Sequence, residues 1–281
     1  MPEKFLIIGA SSFYGTHFAK YVREHGDEAI EMSLRNWWPR VLEKEQPGYV
    51  VNFAAANIVA ESWDKPFEYC EVNVCKHTEL IEFLRKKTWL KRYIHVSTPE
   101  VYGNTPEWVD ESCRFNPSTP YAVSRAATDM MLTAYYSVYG FPAIITRTAN
   151  IYGQGQSKNR IIPLAIDKLR RLEKVHLDGG GESVRCFIHV KDACAATYLI
   201  AKAGTAGETY HISTWDQHSI YYIVSSICGL LGLDADEYLL DAPERLGKDH
   251  AYLMQSHKLR TLGWKDTITF EQGLEECVSS H

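Results

Sequence analysis

Four side chains in two short segments have the types and spacing for proton and hydride chemistry. The segment His95-Val-Ser-Thr-Pro-Glu-Val-Tyr-Gly103 reads as a buried strand that carries a hydroxyl, Thr98, and a carboxylate, Glu100, to its end. Further along, Tyr121-Ala-Val-Ser-Arg125 sets a phenol and a guanidinium four residues apart, so that on a helix both point the same way. A phenol beside a fixed positive charge, with a hydroxyl and a carboxylate at hand, suits one task. It can take a proton from a sugar alcohol while hydride leaves the same carbon. On this reading Arg125 lowers the pKa of the Tyr121 phenol.

The hydrophobic pattern supplies a scaffold for these groups. Nearly all-apolar runs at Phe5–Ile8, Glu28–Met32, Tyr49–Phe53, Tyr93–Val96 and Ala143–Thr146 read as strands. Amphipathic stretches near Thr16–His25, Trp37–Glu45, Glu71–Lys86 and Tyr121–Tyr139 read as the helices between them. This alternation implies an α/β fold of Rossmann type, a doubly wound parallel sheet covered on both faces. The Tyr121 helix has clear ends: Ser118 or Thr119 can cap it, Pro120 suits the first helical position, and Gly140 can stop it. After Gly155 the pattern is less regular, with helices near Lys191–Lys202 and Ile220–Leu231 and a loop at Asp178-Gly-Gly-Gly181. Residues 1–155 therefore form a dinucleotide-binding domain. Residues 156–281 hold the remaining sheet elements, interleaved with a smaller mixed C-terminal substrate lobe.

Gly9-Ala-Ser-Ser12-Phe-Tyr-Gly15 lies at the first strand–helix turn. There Gly9, Ser11, Ser12, Phe13, Tyr14 and Gly15 can bring backbone N–H groups and a helix N-terminus to a pyrophosphate. The loop is degenerate, with Ser12 where many such loops carry a middle glycine, and its place at the first turn is what gives it weight. The second strand runs out at Ser33, with Arg35 just beyond. A hydroxyl and a guanidinium suit the 2′-phosphate of NADP better than the 2′-hydroxyl of NAD, so the cofactor is NAD or NADP with a lean to NADP, unless Glu31 supplies a carboxylate. The stretch from Arg35 to Tyr49 is close to the shortest crossover a parallel strand pair allows, about a dozen residues. One loop or strand–helix step common in such folds is therefore missing, and the adenine pocket should be more open than usual.

Composition narrows the partners. With 281 residues and 45% hydrophobic content the chain can bury one large core, or a core plus a small lobe. A net charge of -5 and a pI near 6.1 give no electrostatic case for nucleic acid. No basic-then-apolar leader opens the chain and no apolar run approaches membrane-spanning length, so a cytoplasmic protein without a membrane partner is expected. Seven cysteines, none in a C-x-x-C pair, read as buried free thiols of a reducing compartment. Eleven histidines show no metal-ligand spacing, and no metal is expected. His95 lies mid-strand and reads as a packed core histidine. One of Trp37 and Trp38 can cover the adenine edge, and surface packing accounts for them equally well.

Together these residues resemble the extended short-chain dehydrogenase/reductase family, in its nucleotide-sugar branch around dTDP-glucose 4,6-dehydratase. Asn52-Phe-Ala-Ala-Ala56 is similar to the segment that passes the nicotinamide ribose, with Ala54 and Ala55 against the cofactor. Glu71-Val-Asn73-Val is similar to the start of the next helix, where Asn73 helps anchor the sheet at the cofactor site. Arg147-Thr-Ala-Asn150-Ile-Tyr-Gly153 resembles the turn that closes over the diphosphate; Arg160-Ile-Ile-Pro163, the glycine loop ending in Arg185, Phe187-Ile-His-Val-Lys-Asp192 and Leu262-Gly-Trp264 follow in order. The resemblance implies that Thr98, Asn150, Arg160 and Arg185 bind a nucleotide-diphosphate sugar, and that Tyr121 and Arg125 also touch the cofactor. Tyr121 would take the C4 hydroxyl proton as hydride leaves, assisted by Thr98, and Glu100 would take the C5 proton made acidic by the 4-ketone. Hydride would then return to C6 as water departs. A homodimer, paired through the helices near Glu71–Lys86 and Tyr121–Tyr139, is implied as well.

Two positions depart from that pattern. Arg125 stands where the family usually has lysine, keeping the charge but unable to relay a proton. Pro99 stands where the dehydratase pattern has an aspartate that protonates the departing hydroxyl, so Glu100, water or another group must do so. A 4,6-dehydratase is the leading reading. A 4-epimerase or 4-ketoreductase using the same Thr98, Tyr121 and Arg125 is the alternative, and a catalytically weakened nucleotide-sugar-binding protein is the non-enzymatic one.

Overall fold

The computed structural model describes residues 2–34, 39–244 and 249–280. Arg35, Trp37 and Trp38 lie outside the described residues. Strands β1 to β13 run in chain order Lys4–Ile8, Glu28–Met32, Tyr49–Asn52, Arg92–Ser97, Thr105–Val109, Ala143–Thr148, Asn150–Tyr152, Val175–Asp178, Val184–His189, Thr209–Ile212, Gln217–Ser219, Leu239–Ala242 and Ala251–Met254. Six of them form a parallel sheet in the order β10-β6-β4-β3-β1-β2.

Every residue of β3 and β6 is buried, because helices cover both faces. Alternation along β1 sends Phe5 and Ile7 to one face, where they pack with Phe18, Val22 and Ala196 of the helices Phe13–Glu24 and Val190–Ala203. Leu6 and Ile8 go to the other face, against Leu80, Leu84 and Leu132 of the helices Lys76–Leu84 and Pro120–Tyr139. A third core, built on Tyr152, Phe187, Ile223, Ile227 and Leu274, lies beneath a mixed sheet β11-β9-β13-β5 with β7 on β9. The doubly wound sheet with a smaller mixed lobe is the architecture the hydrophobic pattern implied.

Among the described residues the sheet ends on β2, whose residues are only half covered, and no further strand walls that side. The chain passes from β1 outward to β2 and back to β3 on the opposite flank, which opens a crevice at the carboxyl ends of β1 and β3. This is the missing strand–helix step read from the short Arg35–Tyr49 crossover.

The stretch Glu71–Lys86 is not one uniform helix. A helix Pro66–Cys70 passes through a π-helix Glu71–Cys75 into the helix Lys76–Leu84. The wider turn brings Asn73 inward, where it bonds both backbone groups of Ala56 and the Ser124 hydroxyl. Thr128 of the Tyr121 helix donates to the Asn73 carbonyl. The first helix begins at Phe13, ahead of Thr16, because the Ser12 side chain caps it through Gly15 N.

All seven cysteines are free; Cys186, Cys194, Cys228 and Cys277 are buried as expected, but Cys113 is half-buried and Cys70 and Cys75 are exposed. Among the described residues no helix is long and apolar enough to cross a membrane.

Candidate active site

Strand β4 ends at Ser97, and Thr98 turns the chain into a 3-10 turn, Pro99–Tyr102. The Thr98 hydroxyl accepts from Glu100 N at 3.3 Å, which fixes the carboxylate's exit from the strand. Opposite it, the helix Pro120–Tyr139 starts as its sequence demands: Thr119 Oγ1 accepts from Ala122 N at 3.1 Å, Pro120 opens the first turn, and Gly140 closes the helix in the left-handed conformation. That start places the buried Tyr121 phenol within hydrogen-bonding reach of Thr98 and close to the Glu100 carboxyl.

The electrostatics differ from the expectation for Tyr121. Burial, and after it the nearby Glu100 charge, push the phenol's pKa up to about 12, and the pull of Arg125 in the other direction is smaller. The correction has a plain cause: a phenol walled in by helix and strand loses more hydration than one guanidinium restores. Glu100 is itself raised to about 7, first by burial of its carboxyl, with Arg185 and Arg160 opposing and Asp249 adding to the rise.

Arg125 is 1% exposed and lies against β4, where Nη2 donates to Val96 O and meets His95 Nε2 at 3.1 Å. Its Nε and Nη1 are buried with no hydrogen-bond partner. Around it runs a buried polar network: Asp129 Oδ2 receives Arg147 Nη2 at 2.8 Å and Ser97 at 3.0 Å, and Arg147 also donates to the Tyr102 hydroxyl. Arg147 is therefore held inside the protein and does not lead toward a diphosphate.

At the first strand–helix turn, Gly9 has φ +80°, and a Cβ there would lie 2.7 Å from Ala54 N, so the loop through Ala54 and Ala55 passes directly over the turn. A Cβ on Gly15 would lie 2.3 Å from Gly9 O. These close approaches leave a backbone cradle of the kind a pyrophosphate needs, with Ser11 exposed and Phe13 half-buried at its rim. The Tyr14 side chain is turned away, its hydroxyl donating to Ala193 O at 2.8 Å, so only its backbone is available there. The Asn73 side chain is likewise committed to Ala56. Ser33 follows β2 and is exposed. Gly15→Ala should displace the turn: we expect at least a tenfold loss of dinucleotide affinity and a stability loss of about 1–3 kcal/mol. Calorimetric titration and a thermal melt would check both.

Of the two anticipated arginines, Arg185 opposes the rise of Glu100 more strongly than Arg160 does, and it donates to Asp249 O and His250 O at 2.7 Å each. Arg160 precedes the helix Ile161–Arg170, without a side-chain capping bond, and its charge acts on both Glu100 and Tyr121. Asn150 opens β7 and is exposed. Sequence reasoning missed Asp249 and Tyr252, which share a 2.7 Å hydrogen bond beside Glu100, under the Arg185 guanidinium at 4.3 Å from the Tyr252 ring. No local signal could have found them, because β13 reaches the site only by pairing with β5 and β9. Away from the cleft, Asp216, His218 and Glu271 bring one donor atom each within 4.8 Å of one another, with both carboxylates exposed.

The geometry has close counterparts. The profile of the family described as GDP-mannose 4,6 dehydratase matches residues 35–277. The dTDP-glucose 4,6-dehydratase of Xanthomonas campestris is 32% identical over 259 residues, spanning 85% of this chain and 74% of that protein. A trifunctional UDP-glucose 4,6-dehydratase/UDP-4-keto-6-deoxy-D-glucose 3,5-epimerase/UDP-4-keto-L-rhamnose-reductase of Arabidopsis thaliana is 28% identical over 99% of this chain but only 46% of its own length. The chain thus spans about half the length of such relatives. The crystal structure of a dTDP-glucose 4,6-dehydratase from Streptomyces venezuelae, with NAD and TYD bound, superposes with a TM-score of 0.91 at 28% identity, covering 98% of this chain and 96% of that one. Since the family match embraces the strand, the turn and the helix that bring Thr98, Glu100 and Tyr121 together, the chain belongs to the GDP-mannose 4,6 dehydratase family, among the extended short-chain dehydrogenase/reductases that comprise nucleotide-sugar dehydratases and epimerases.

Proposed function

We propose that the protein is an NAD(P)-dependent nucleotide-sugar 4,6-dehydratase that works by transient oxidation at C4 of an NDP-hexose. The observation that carries this reading is the Glu100 carboxyl, set deep in the cleft beside Tyr121 and able to lose or hold a proton near neutral pH. The residues present fit a nicotinamide dinucleotide: the Gly9–Gly15 cradle for its phosphates and the loop at Ala54 and Ala55, with the charge of Arg125 acting on Tyr121. When bound, that group supplies a reversible hydride acceptor.

The chain's own residues manage the protons. Thr98 holds the C4 hydroxyl, and Tyr121 takes its proton as hydride leaves C4. The resulting ketone acidifies C5, and Glu100 takes the C5 proton. Proline at position 99 has no proton to give, so Glu100 passes the one it has gained to the departing C6 hydroxyl. Hydride returns to C6, and C5 is reprotonated with the proton Tyr121 had received. Two protons leave the sugar and two come back, one of them in the water released, so none has to reach bulk solvent.

That closure suits Arg125, which stays protonated and cannot relay. It counts against a 4-ketoreductase, in which Tyr121 would need a proton from outside at each turnover. A 4-epimerase is closed in the same way but leaves a buried carboxylate at Glu100 with no task, and burying one without a task is costly.

Arg160, Arg185 and Asn150 would hold the nucleotide-sugar diphosphate. Glu31 is paired with Arg23, which removes the nearest carboxylate from the end of β2 and favours NADP over NAD beside Ser33. Two copies would pair through the exposed apolar stripe Val123, Met130 and Val138 of the Tyr121 helix, with Phe67 alongside at 78% exposure. Incubation with a panel of NDP-hexoses tests the function. A 4-keto-6-deoxy product carrying solvent deuterium at C5 supports it; a C4-inverted product without deuterium, or binding without turnover, overturns it.

A further inference from the structure

We infer that His95 is a positioning residue for Arg125: its neutral Nε2 fixes the guanidinium plane against β4 and so holds the charge in place beside Tyr121. This role rests on the nicotinamide-dependent reading above. A buried guanidinium needs acceptors, and Arg125 forms no ion pair among the described residues. Asp129, one helical turn along, would be the obvious counter-ion. Its Oδ2, however, is taken up by Arg147 and Ser97, while its Oδ1 makes no hydrogen bond and lies 3.6 Å from His95. Nη2 instead has two neutral acceptors from one strand, Val96 O and His95 Nε2.

Two acceptors on one nitrogen of a rigid planar fork set the direction of every other N–H it carries. A lysine ammonium, with three rotating donors on a flexible stem, would need no such fixing. His95 can accept only while Nε2 keeps its lone pair, which puts the ring proton on Nδ1, itself buried without a hydrogen-bond partner; of the charged neighbours only Asp129 opposes the uncharged ring. His77 stands edge-on at 5.3 Å, Tyr93 stacks at 6.4 Å along the same strand, and Arg125 and Arg147 supply two positive charges, against the single carboxylate of Asp129. Burial first, then Arg125, keeps His95 well below its ordinary pKa, and the same two causes bring His77 down to about 3. A histidine on an interior strand is thereby given the task of orienting the cation that departs from the family's lysine.

Three variants test the role. His95→Leu should weaken dinucleotide binding about tenfold. It should also raise the pH at which Tyr121-dependent hydride transfer sets in by about one unit. His95→Gln places a carboxamide oxygen near the Nε2 position and should restore both to within about threefold of the wild type. In an Arg125→Lys background the leucine exchange should cost less than about threefold, because no plane remains to be held. A leucine variant that binds and transfers hydride like the wild type overturns the role. So does an equal loss in the lysine background, which would mark His95 as packing alone. Should the leucine variant fail to fold, the ¹⁵N imidazole resonances of the wild type decide: a lone pair on Nε2 with no titration between about pH 5 and 8 supports the role, and protonation within that range overturns it. A wild type that binds no dinucleotide sinks the oxidoreductase reading as a whole; a wild type that binds, with an indifferent leucine variant, sinks only this inference.

Discussion

Tyr121→Phe should remove all redox chemistry: no reduced nicotinamide forms on mixing with any NDP-hexose, and no 4-keto product accumulates. The exchange deletes one oxygen and leaves the ring, its edge-on contact with Tyr69 and the helix start untouched. Loss of a general base costs about 10²–10⁴-fold, and here no other group stands ready to take the C4 proton. On the proposed mechanism Thr98 only holds the C4 hydroxyl, and Glu100 serves C5. Because burial raises the phenol to about 12, Tyr121 is protonated in the free protein at neutral pH. As the proposed base it would act once the positive charge that a bound dinucleotide would bring added to the pull of Arg125. Hydride transfer should therefore depend more steeply on cofactor occupancy than on bulk pH. Stopped-flow absorbance with the wild type and the phenylalanine variant checks this; unaltered transfer in the variant would refute the role of the phenol.

Glu100→Gln should separate the two halves of the reaction. C4 oxidation survives, reduced nicotinamide builds up, and elimination falls by about 10²–10⁴-fold. The amide keeps the size of the carboxyl but cannot take the C5 proton. In the wild type, kcat/KM should rise with pH through about 7 and decline below it, since burial holds the Glu100 carboxyl protonated in that range and only the ionised form is a base. The glutamine variant should lose that limb. Equal loss of oxidation and elimination would show that Glu100 binds the sugar instead of deprotonating it.

Much of the scaffold was legible because its signals are local. The strand Phe5–Ile8 is an apolar run ending at a glycine turn, and the Tyr121 helix announces both its ends through Thr119, Pro120 and Gly140. The meeting of Thr98, Glu100 and Tyr121 was legible for a similar reason: one strand end and one helix start carry all three. What escaped the sequence depends on geometry that no spacing encodes. The π-turn at Glu71–Cys75 adds one residue to a helical period and leaves the apolar pattern nearly unchanged. The direction of Arg125 is set by His95, thirty positions away, and the rise of the Tyr121 pKa follows from burial that only the packed helix creates. Asp249 and Tyr252 arrive on a strand whose partners are remote in the chain.

The parallel sheet's end at β2 bears on how long a cofactor stays. With that flank unwalled among the described residues, the proposed function implies that the adenosine moiety of a dinucleotide would desorb readily and that its residence time would be governed by Arg125, Tyr121 and the turn at Gly9. Adenosine diphosphate alone should accordingly be a poor competitor, and whatever loosens the guanidinium should empty the protein during dilution.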